Sequence, residues 1–170
     1  MKKLKDLIST YDDFPKKGIL FQDILGIIQE PEVFKELIFK MSSSQLIKNS
    51  EAIISIDARG FIFGSAISLQ SSKPMIVARK PGKLPGEIVK QGYDLEYGQN
   101  FLSIQKKALN KFDSFVIVDD LIATGGTVEC VAKMLDKCGK KVIGLLTVVE
   151  LLSLDGKKKF KFPVESILSL

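Results

Sequence analysis

The sequence contains no histidine, the side chain that most often carries protons at neutral pH. Catalytic triads built on histidine and metal sites with histidine ligands are therefore excluded. The two cysteines, Cys130 and Cys138, lie on one predicted helix about 12 Å apart, which is too far for a disulfide. Two cysteines without histidine also make a poor zinc site. Proton transfer is thus expected to fall to a carboxylate, and the free thiols indicate a reducing compartment.

Long apolar runs are also missing, since none approaches the roughly 18 residues needed to span a bilayer. The first residues are charged and lack the apolar centre of a signal peptide. We therefore expect a cytoplasmic protein without a membrane partner. The net charge is +5, but the lysines are scattered, with one short run of three at Lys157–Lys159. This distribution favours an anionic substrate over a nucleic-acid partner, and the run itself is interpreted as a solvated surface.

Apolar segments alternate with helical patterns along the 170 residues, which is typical of one α/β domain with a parallel sheet. Strands are predicted at 52–56, 74–78, 101–105, 115–118, 142–149 and 164–168. Helices are predicted at 3–11, 31–47 and 61–70, and from Val128 to a cap at Gly139. The apolar residues 19–24 indicate a hydrophobic hood or an edge strand. Between 80 and 100 the periodicity fails and glycine and proline recur, which predicts a mobile lid with room for extended arms.

A predicted buried strand ending at Val118 runs directly into two carboxylates, Asp119 and Asp120, and then into a loop rich in glycine and threonine. Ligands of parallel sheets bind beyond the carboxyl ends of the strands, where this acid pair falls. Gly125 and Gly126 permit a close backbone approach, and successive N–H groups at a helix start form an anion site. Carboxylates only accept hydrogen bonds, so hydroxyls or a hydrated cation are their natural partners. The order of these elements indicates a phosphate beside a diol, as in a phosphorylated sugar.

A second predicted strand-to-helix turn, Asp57–Phe61, carries an arginine followed by a glycine. A guanidinium and exposed backbone N–H groups suit a pyrophosphate, although an ordinary ion-paired arginine explains these residues equally well on their own. Arg79, Lys80 and Lys83 add three cations at the next strand end and in the predicted lid. Taken alone, these three residues are typical of a solvated charged surface.

Five segments together resemble the adenine phosphoribosyltransferase family, a branch of the type I phosphoribosyltransferases. They span nearly the whole chain in the family's order: DFPKKGILFQDI at 13–24, DARGF at 57–61, RKPGKLPG at 79–86, LEYG at 95–98 and VDDLIATGGT at 118–127. The last resembles the motif that binds phosphoribosyl pyrophosphate (PRPP), and the hood and lid segments point to adenine. The resemblance implies the type I phosphoribosyltransferase fold, a parallel β-sheet flanked by helices. It also implies a single domain over 1–170, with a hood over 1–30 and a flexible lid over 80–100.

The resemblance further implies transfer of the phosphoribosyl group of PRPP to N9 of adenine, giving AMP and pyrophosphate with Mg²⁺. The 5′-phosphate is then expected at Ala123, Thr124, Gly125, Gly126 and Thr127, and the ribose hydroxyls at Asp119 and Asp120. Pyrophosphate is expected at Asp57, Ala58, Arg59, Arg79, Lys80 and Lys83, and adenine at Leu20, Phe21 and Gln22. Arg59 and Glu96 are expected to be catalytic, with Glu96 handling the adenine proton. Mg²⁺ is expected to be held mainly by substrate and water, because no carboxylate cage is visible, and a homodimer is implied.

Three positions depart from the family pattern: Gln22 and Pro81 stand where arginine is common, and Ala58 where serine is common. Pro81 removes one cation from the lid, and Ala58 removes a hydroxyl donor beside the pyrophosphate. Two alternatives stay open at this point. One is a phosphoribosyltransferase for hypoxanthine, guanine or orotate, which shares the PRPP loop and differs in hood and lid. The other is a regulatory protein that senses PRPP on an inactive enzyme fold.

Overall fold

The computed structural model describes residues 2–95 and 98–170. The strands in these ranges are β1 Ser9–Tyr11, β2 Phe21–Asp23, β3 Ala52–Ile56, β4 Met75–Ala78, β5 Ile88–Leu95, β6 Gly98–Gln105, β7 Ser114–Ile122, β8 Lys141–Glu150 and β9 Val164–Ser169. The α-helices are α1 Lys2–Lys5, α2 Pro31–Ser42, α3 Gln45–Asn49, α4 Gly60–Ser71, α5 Lys106–Leu109 and α6 Gly126–Lys137. Short 3-10 helices occupy Leu25–Gln29, Leu152–Leu154 and Gly156–Lys159. None of these helices is long and apolar enough to cross a membrane.

The chain divides into two compact units, Met1–Lys40 and Met41–Leu170. In the first unit β1 and β2 form an antiparallel ribbon, with Thr10 opposite Gln22. The helix predicted over 3–11 is therefore wrong beyond Lys5, because the β-prone residues 9–11 pair with β2 instead of continuing a helical turn. The strand expected within 19–24 is confirmed as β2. A single domain with a hood over 1–30 stays a prediction.

The second unit is built on a parallel five-stranded sheet with the order β4-β3-β7-β8-β9. Every residue of β3 is buried, and β7 is buried from Phe115 to Asp120, as the apolar runs of these strands predict. Helix α4 packs against β3 and β7, and α6 packs against β8 and against the β5–β6 pair. The predicted α/β class, with a parallel sheet flanked by helices, is confirmed.

Two predicted segments differ in detail from the structure. The helix predicted over 31–47 ends at Ser42, and a new helix begins at Gln45, because the Ser44 hydroxyl accepts a hydrogen bond from the Leu46 N–H at 3.0 Å and caps α3. The segment predicted as a lid contains a long antiparallel hairpin of β5 and β6, so its extended arms are confirmed. The internal glycines and the half-buried side chains of β5 explain why no helical or buried-strand periodicity marks it.

The strand order places a reversal in the sheet between β3 and β7. From β3 the chain moves outward to β4, and then returns to the other side of β3 to form β7. The crossover connections leave in opposite directions at this point, so a crevice forms beyond the carboxyl ends of the two strands. The turn at residues 57–60 and the acid pair at the end of β7 both lie at this crevice.

Candidate active site

The crevice brings together the two strand-to-helix turns that the sequence marks as chemical. Asp119 and Asp120 sit near the end of β7 and are only 7% and 5% exposed. Gly60 begins α4 against them: a Cβ at this position would lie 2.8 Å from Asp119 Oδ1 and 3.2 Å from the Val118 carbonyl oxygen. Any larger residue would push the helix away from β7. The close approach of α4 to the acid pair therefore depends on this glycine.

Arg59 and Asp120 form an ion pair across the crevice, with Arg59 Nε 2.7 Å from Asp120 Oδ2. The arginine side chain is 33% exposed and the carboxylate 7%, so the contact is partly shielded from water. Burial raises the pKa of Asp120, and the Arg59 guanidinium opposes that rise. The ion pair thus links the arginine expected at pyrophosphate to a carboxylate expected at the ribose hydroxyls.

The pKa of Asp119 is raised well above its usual range, first by burial and then by the neighbouring Asp120 carboxylate. Its Oδ1 atom accepts a hydrogen bond from the Asp120 N–H at 2.9 Å, which fixes the carboxyl group near the backbone. A ligand hydroxyl or a metal-bound water would donate to the remaining acceptor positions. The acid pair thus needs a polar ligand to compensate for its burial.

The loop Ala123–Thr127 carries the chain from β7 into α6. Gly125 directly precedes the first residue of the helix. Its φ of +80 lies in the left-handed region, which favours glycine. The 12-residue helix α6 directs its first N–H groups and the positive end of its dipole toward this loop. Backbone donors and dipole together suit a phosphate dianion.

A single cavity of about 310 Å³ connects these parts in the described structure. Its lining residues come from the two turns, from β7, from the loop and from β5: Ile56, Asp57, Ala58, Arg59, Tyr93, Asp119, Asp120, Leu121, Ile122, Ala123, Thr124, Gly125, Gly126, Thr127 and Val128. The residues expected at the 5′-phosphate and at the ribose all belong to this set. From the pyrophosphate group, Asp57, Ala58 and Arg59 belong to it as well.

The other predicted site residues lie elsewhere. Arg79 Nε donates a hydrogen bond to Asp57 Oδ2 at 3.2 Å, and the Lys80 N–H reaches the same oxygen at 3.4 Å. Arg79, Lys80 and Lys83 do not line the cavity in the described residues. Asp57 therefore acts here as an anchor for the strand end that carries the cations. Glu96 lies outside the described residues.

The three residues expected at adenine belong to the first unit. Leu20 is 55% exposed and precedes β2, while Phe21 packs edge-to-face on Phe14 with ring centres 5.1 Å apart. Gln22 Oε1 accepts a hydrogen bond from the Thr10 hydroxyl at 3.0 Å. The side chain that replaces the common arginine is therefore used within the ribbon.

Tyr93 lines the cavity and was missed at the level of sequence. It sits on β5, and its ring would lie 3.7 Å from a Cβ at Gly126. On the same face of β5 the Gln91 carbonyl accepts a hydrogen bond from Cys130 Sγ at 3.2 Å, and Gln91 Oε1 accepts one from Lys137 Nζ at 2.6 Å. The alternation of Val89, Gln91 and Tyr93 could have shown that these side chains share one face of β5, but it does not show what that face packs on.

Comparison with known proteins agrees with this geometry. The phosphoribosyl transferase domain family matches residues 27–166. The adenine phosphoribosyltransferase of Prochlorococcus marinus (strain MIT 9515) is 73% identical over 164 residues, which cover 96% of each chain. This chain belongs to the adenine phosphoribosyltransferase family. It is accordingly a transferase, as its motifs predicted.

Solved structures of family members share the fold. The enzyme from Thermoanaerobacter pseudethanolicus is 36% identical, with a TM-score of 0.91 and 99% of both chains covered. The enzyme from Saccharomyces cerevisiae is 34% identical, with a TM-score of 0.88 and 98% of this chain and 97% of that chain covered. The latter was solved in complex with D-2,5-dideoxy-2,5-imino-altritol 1,6-bisphosphate and adenine. The type I phosphoribosyltransferase fold predicted from the motifs is confirmed.

Proposed function

We propose that this chain transfers the phosphoribosyl group of PRPP to N9 of adenine, giving AMP and pyrophosphate. The observation that carries the proposal is a single cavity that joins a glycine loop at a helix start, a buried acid pair and an arginine turn. These are binding groups for a phosphate, a diol and a second anion, which PRPP combines in one molecule. A yeast family member that holds an imino-polyol bisphosphate together with adenine supports both substrates.

The chain's own residues divide the substrate between them. Ala123–Thr127 bind the 5′-phosphate through N–H groups and hydroxyls, and Asp119 and Asp120 accept hydrogen bonds from the ribose hydroxyls. Arg59 and the turn at 57–58 bind the pyrophosphate. Arg79, Lys80 and Lys83, at the start of the lid, contribute further positive charge. Leu20, Phe21 and Gln22 bind adenine, largely through hydrogen bonds from backbone groups. The assignments at the 5′-phosphate and at the ribose put donors against an anion and acceptors against hydroxyls.

Mg²⁺ fits this site as a partner of the substrate. In the described part of the chain there is no cluster of three or more cysteine, aspartate or glutamate side chains that could hold a metal by itself. Asp119 and Asp120 would hold the ion by accepting hydrogen bonds from its water, since their buried carboxylate oxygens are of the kind that Mg²⁺ prefers. When bound, the ion neutralises charge on the leaving pyrophosphate.

In the reaction the bond from C1′ to the pyrophosphate oxygen breaks, a bond from C1′ to N9 forms, and N9 loses its proton. The ribose develops positive charge on the way, as in other glycosyl transfers, and the Asp119–Asp120 pair lies on the ribose side to stabilise it. Arg59 holds the departing negative charge. Since the sequence has no histidine, the proton passes to a carboxylate, which we assign to Glu96 on the lid over 80–100.

The substrate assignment is tested by mixing the protein, PRPP and Mg²⁺ with adenine, hypoxanthine, guanine or orotate and following pyrophosphate release. We expect turnover with adenine and values of kcat/KM at least about 10²-fold lower with the other bases, because a site built to hydrogen-bond one base leaves its groups unpaired against another. Turnover with another base instead of adenine would favour the first alternative. Binding of PRPP without turnover of any base would favour the regulatory one.

Replacing Glu96 by glutamine should lower kcat on the order of 10²-fold, because the amide cannot take the N9 proton. The KM values for PRPP and adenine should change little if the side chain acts only on the proton. Steady-state kinetics as a function of pH provide the measurement, and the acidic limb of the parent's profile should be absent in the variant. Activity near that of the parent would remove Glu96 as the proton acceptor.

Replacing Tyr93 by phenylalanine should raise KM for PRPP about threefold to tenfold, which is the effect of losing one hydrogen bond. The hydroxyl bonds Asn100 and is half-buried beside the acid pair, where burial raises its pKa. Tyr11→Phe is the matched control, since Tyr11 is 54% exposed and belongs to the first unit. Equal KM values for parent, variant and control would exclude a role for the Tyr93 hydroxyl in substrate binding.

A homodimer, a cytoplasmic location and the absence of nucleic-acid partners complete the proposal. They are supported by membership of the family, by the free thiols Cys130 and Cys138, and by the scattered cations. A light-scattering mass near twice 18.8 kDa is the expected result for the assembly.

A further inference from the structure

A short helical turn far along the chain lies directly behind the phosphate loop. Gly156, the first residue of the 3-10 helix Gly156–Lys159, is buried. A Cβ on Gly156 would lie 2.1 Å from the Ala123 carbonyl oxygen and 3.0 Å from the Gly125 nitrogen. The φ of Gly156 lies outside the left-handed region. Glycine is therefore required here by the close contact with the loop and not by the backbone conformation. The loop can take its position only while residue 156 has no side chain.

The same segment also contacts the loop from a second point. A Cβ on Gly125 would lie 2.9 Å from the Gly156 carbonyl oxygen and 2.9 Å from Cζ of Phe160. Phe160 stacks on Phe162, with ring centres 4.9 Å apart, and packs against the hydrophobic core. The ring and the turn thus leave space for glycine alone at the residue that sets the left-handed bend of the loop.

The turn is anchored to the sheet by a buried carboxylate. Glu150, the last residue of β8, has a side chain only 8% exposed, and its Oε1 lies 2.9 Å from Lys157 Nζ. The backbone just after it joins the end of β7, since the Leu151 N–H donates to the Ile122 carbonyl oxygen at 2.9 Å. Lys157, the first lysine of the run at 157–159, forms an ion pair with the Glu150 carboxylate while half of its side chain stays exposed, as expected of a solvated surface. The phosphate loop and the turn behind it are therefore both anchored at the adjacent ends of β7 and β8.

We propose that Gly156 and Phe160 are positioning residues that hold the loop Ala123–Thr127 in its phosphate-binding conformation. This inference rests on the proposed function, because it assigns a role toward the 5′-phosphate of PRPP. The 5′-phosphate does not react, so its contacts are made equally before and during the chemical step. Loss of such contacts raises KM and leaves kcat nearly unchanged.

The test measures steady-state kinetics and, separately, the affinity for ribose 5-phosphate by titration calorimetry. Gly156→Ala should raise KM for PRPP and the Kd for ribose 5-phosphate at least about tenfold, with kcat within about twofold of the parent. Gly139→Ala is the matched control: its φ is +64, nothing lies within 4 Å of a Cβ there, and it strains the chain without touching the loop. It should lower Tm and leave both KM and Kd unchanged. Equal Kd values for the parent and a folded Gly156→Ala would overturn the proposal.

A second pair of variants decides the case if Gly156→Ala does not fold. Phe160→Leu removes the ring atoms beside Gly125, whereas Phe162→Leu removes the same ring from the stacked partner. We expect similar losses of stability and a rise in Kd for ribose 5-phosphate of about threefold to tenfold only with Phe160→Leu. Equal Kd values for the two variants would refute the positioning role. A parent that binds ribose 5-phosphate but does not turn over adenine would instead contradict the proposed function and leave this test valid.

Discussion

Replacing Asp120 by asparagine is expected to lower kcat/KM for PRPP on the order of 10³-fold. The substitution removes the negative partner that holds Arg59 Nε at 2.7 Å, and Arg59 then lacks its orientation toward the pyrophosphate. It also replaces the charged acceptor of a ribose hydroxyl with a neutral amide oxygen. A hydrogen bond to a charged group contributes about 1.5–3 kcal/mol, and about 1.4 kcal/mol corresponds to a factor of ten, so the loss of these two contacts gives an effect of this order. The measurement is initial-rate kinetics with PRPP, adenine and Mg²⁺.

The control for this variant is Asp113→Asn. Asp113 also pairs with a cation, Lys140 Nζ at 2.8 Å, but its side chain is 87% exposed. Neither residue lines the cavity of the described structure, so activity should stay within about twofold of the parent. A loss below tenfold in Asp120→Asn, in protein with the parent's circular dichroism spectrum, would show that the contact between Arg59 and Asp120 is not needed for catalysis.

The parts of the site that are continuous in the chain could be predicted from the sequence. A buried strand, an acid pair, a glycine bend and a helix start follow one another from Phe115 to Thr127, so local rules suffice to place them in one crevice. The turn at Arg59 joins them because parallel strands end at the same edge of the sheet. Its pairing with Asp120 could not be predicted, because the distance between the two side chains depends on how α4 packs.

Tyr93 and Gly156 could not be predicted for a different reason. Tyr93 reaches the cavity through the packing of the β5–β6 hairpin on α6, which is not a local contact. Gly156 lies 29 residues beyond the end of the loop it supports, in a turn in which lysines are the most prominent residues. Its importance comes from a clash that exists only in three dimensions. Residues that shape a loop from behind carry no chemical signature.

The acid pair illustrates how a binding site can cost stability. Asp119 is almost fully buried beside a second carboxylate, and its pKa in the folded chain lies well above its usual range. A carboxyl group of this kind keeps its proton in the folded state at pH values where the unfolded chain, with a pKa of about 4, has released it. The free energy of unfolding therefore falls as pH rises from about 4 through the folded-state pKa. A neutral isostere removes this fall.

Asp119→Asn is accordingly expected to be more stable and less active than the parent. An amide cannot ionise, and its oxygen can still accept the hydrogen bond from the Asp120 N–H. In the absence of ligand Tm should be at least about 3 °C higher at pH 8, since 1 kcal/mol corresponds to about 2–4 °C for a chain of this length. Near pH 4 the difference in Tm should be much smaller, because Asp119 is then protonated in the folded state and already about half protonated in the unfolded chain. The value of kcat/KM should fall on the order of 10²-fold, because the ribose loses a charged acceptor.

Thermal denaturation followed by circular dichroism between pH 4 and pH 8, without ligands, measures the difference in Tm, and Asp113→Asn again serves as the control. The Asp113 carboxylate is exposed, so its charged form carries no desolvation cost in the folded state. Its removal should not raise Tm at any pH. A Tm difference for Asp119→Asn that stays constant across the range would mean that titration of the buried carboxyl group is not its source. A Tm at pH 8 below that of the parent would mean that the charged form of Asp119 is compensated in the folded protein even before PRPP binds. In that case the crevice would be preorganised for the ribose at no cost to stability.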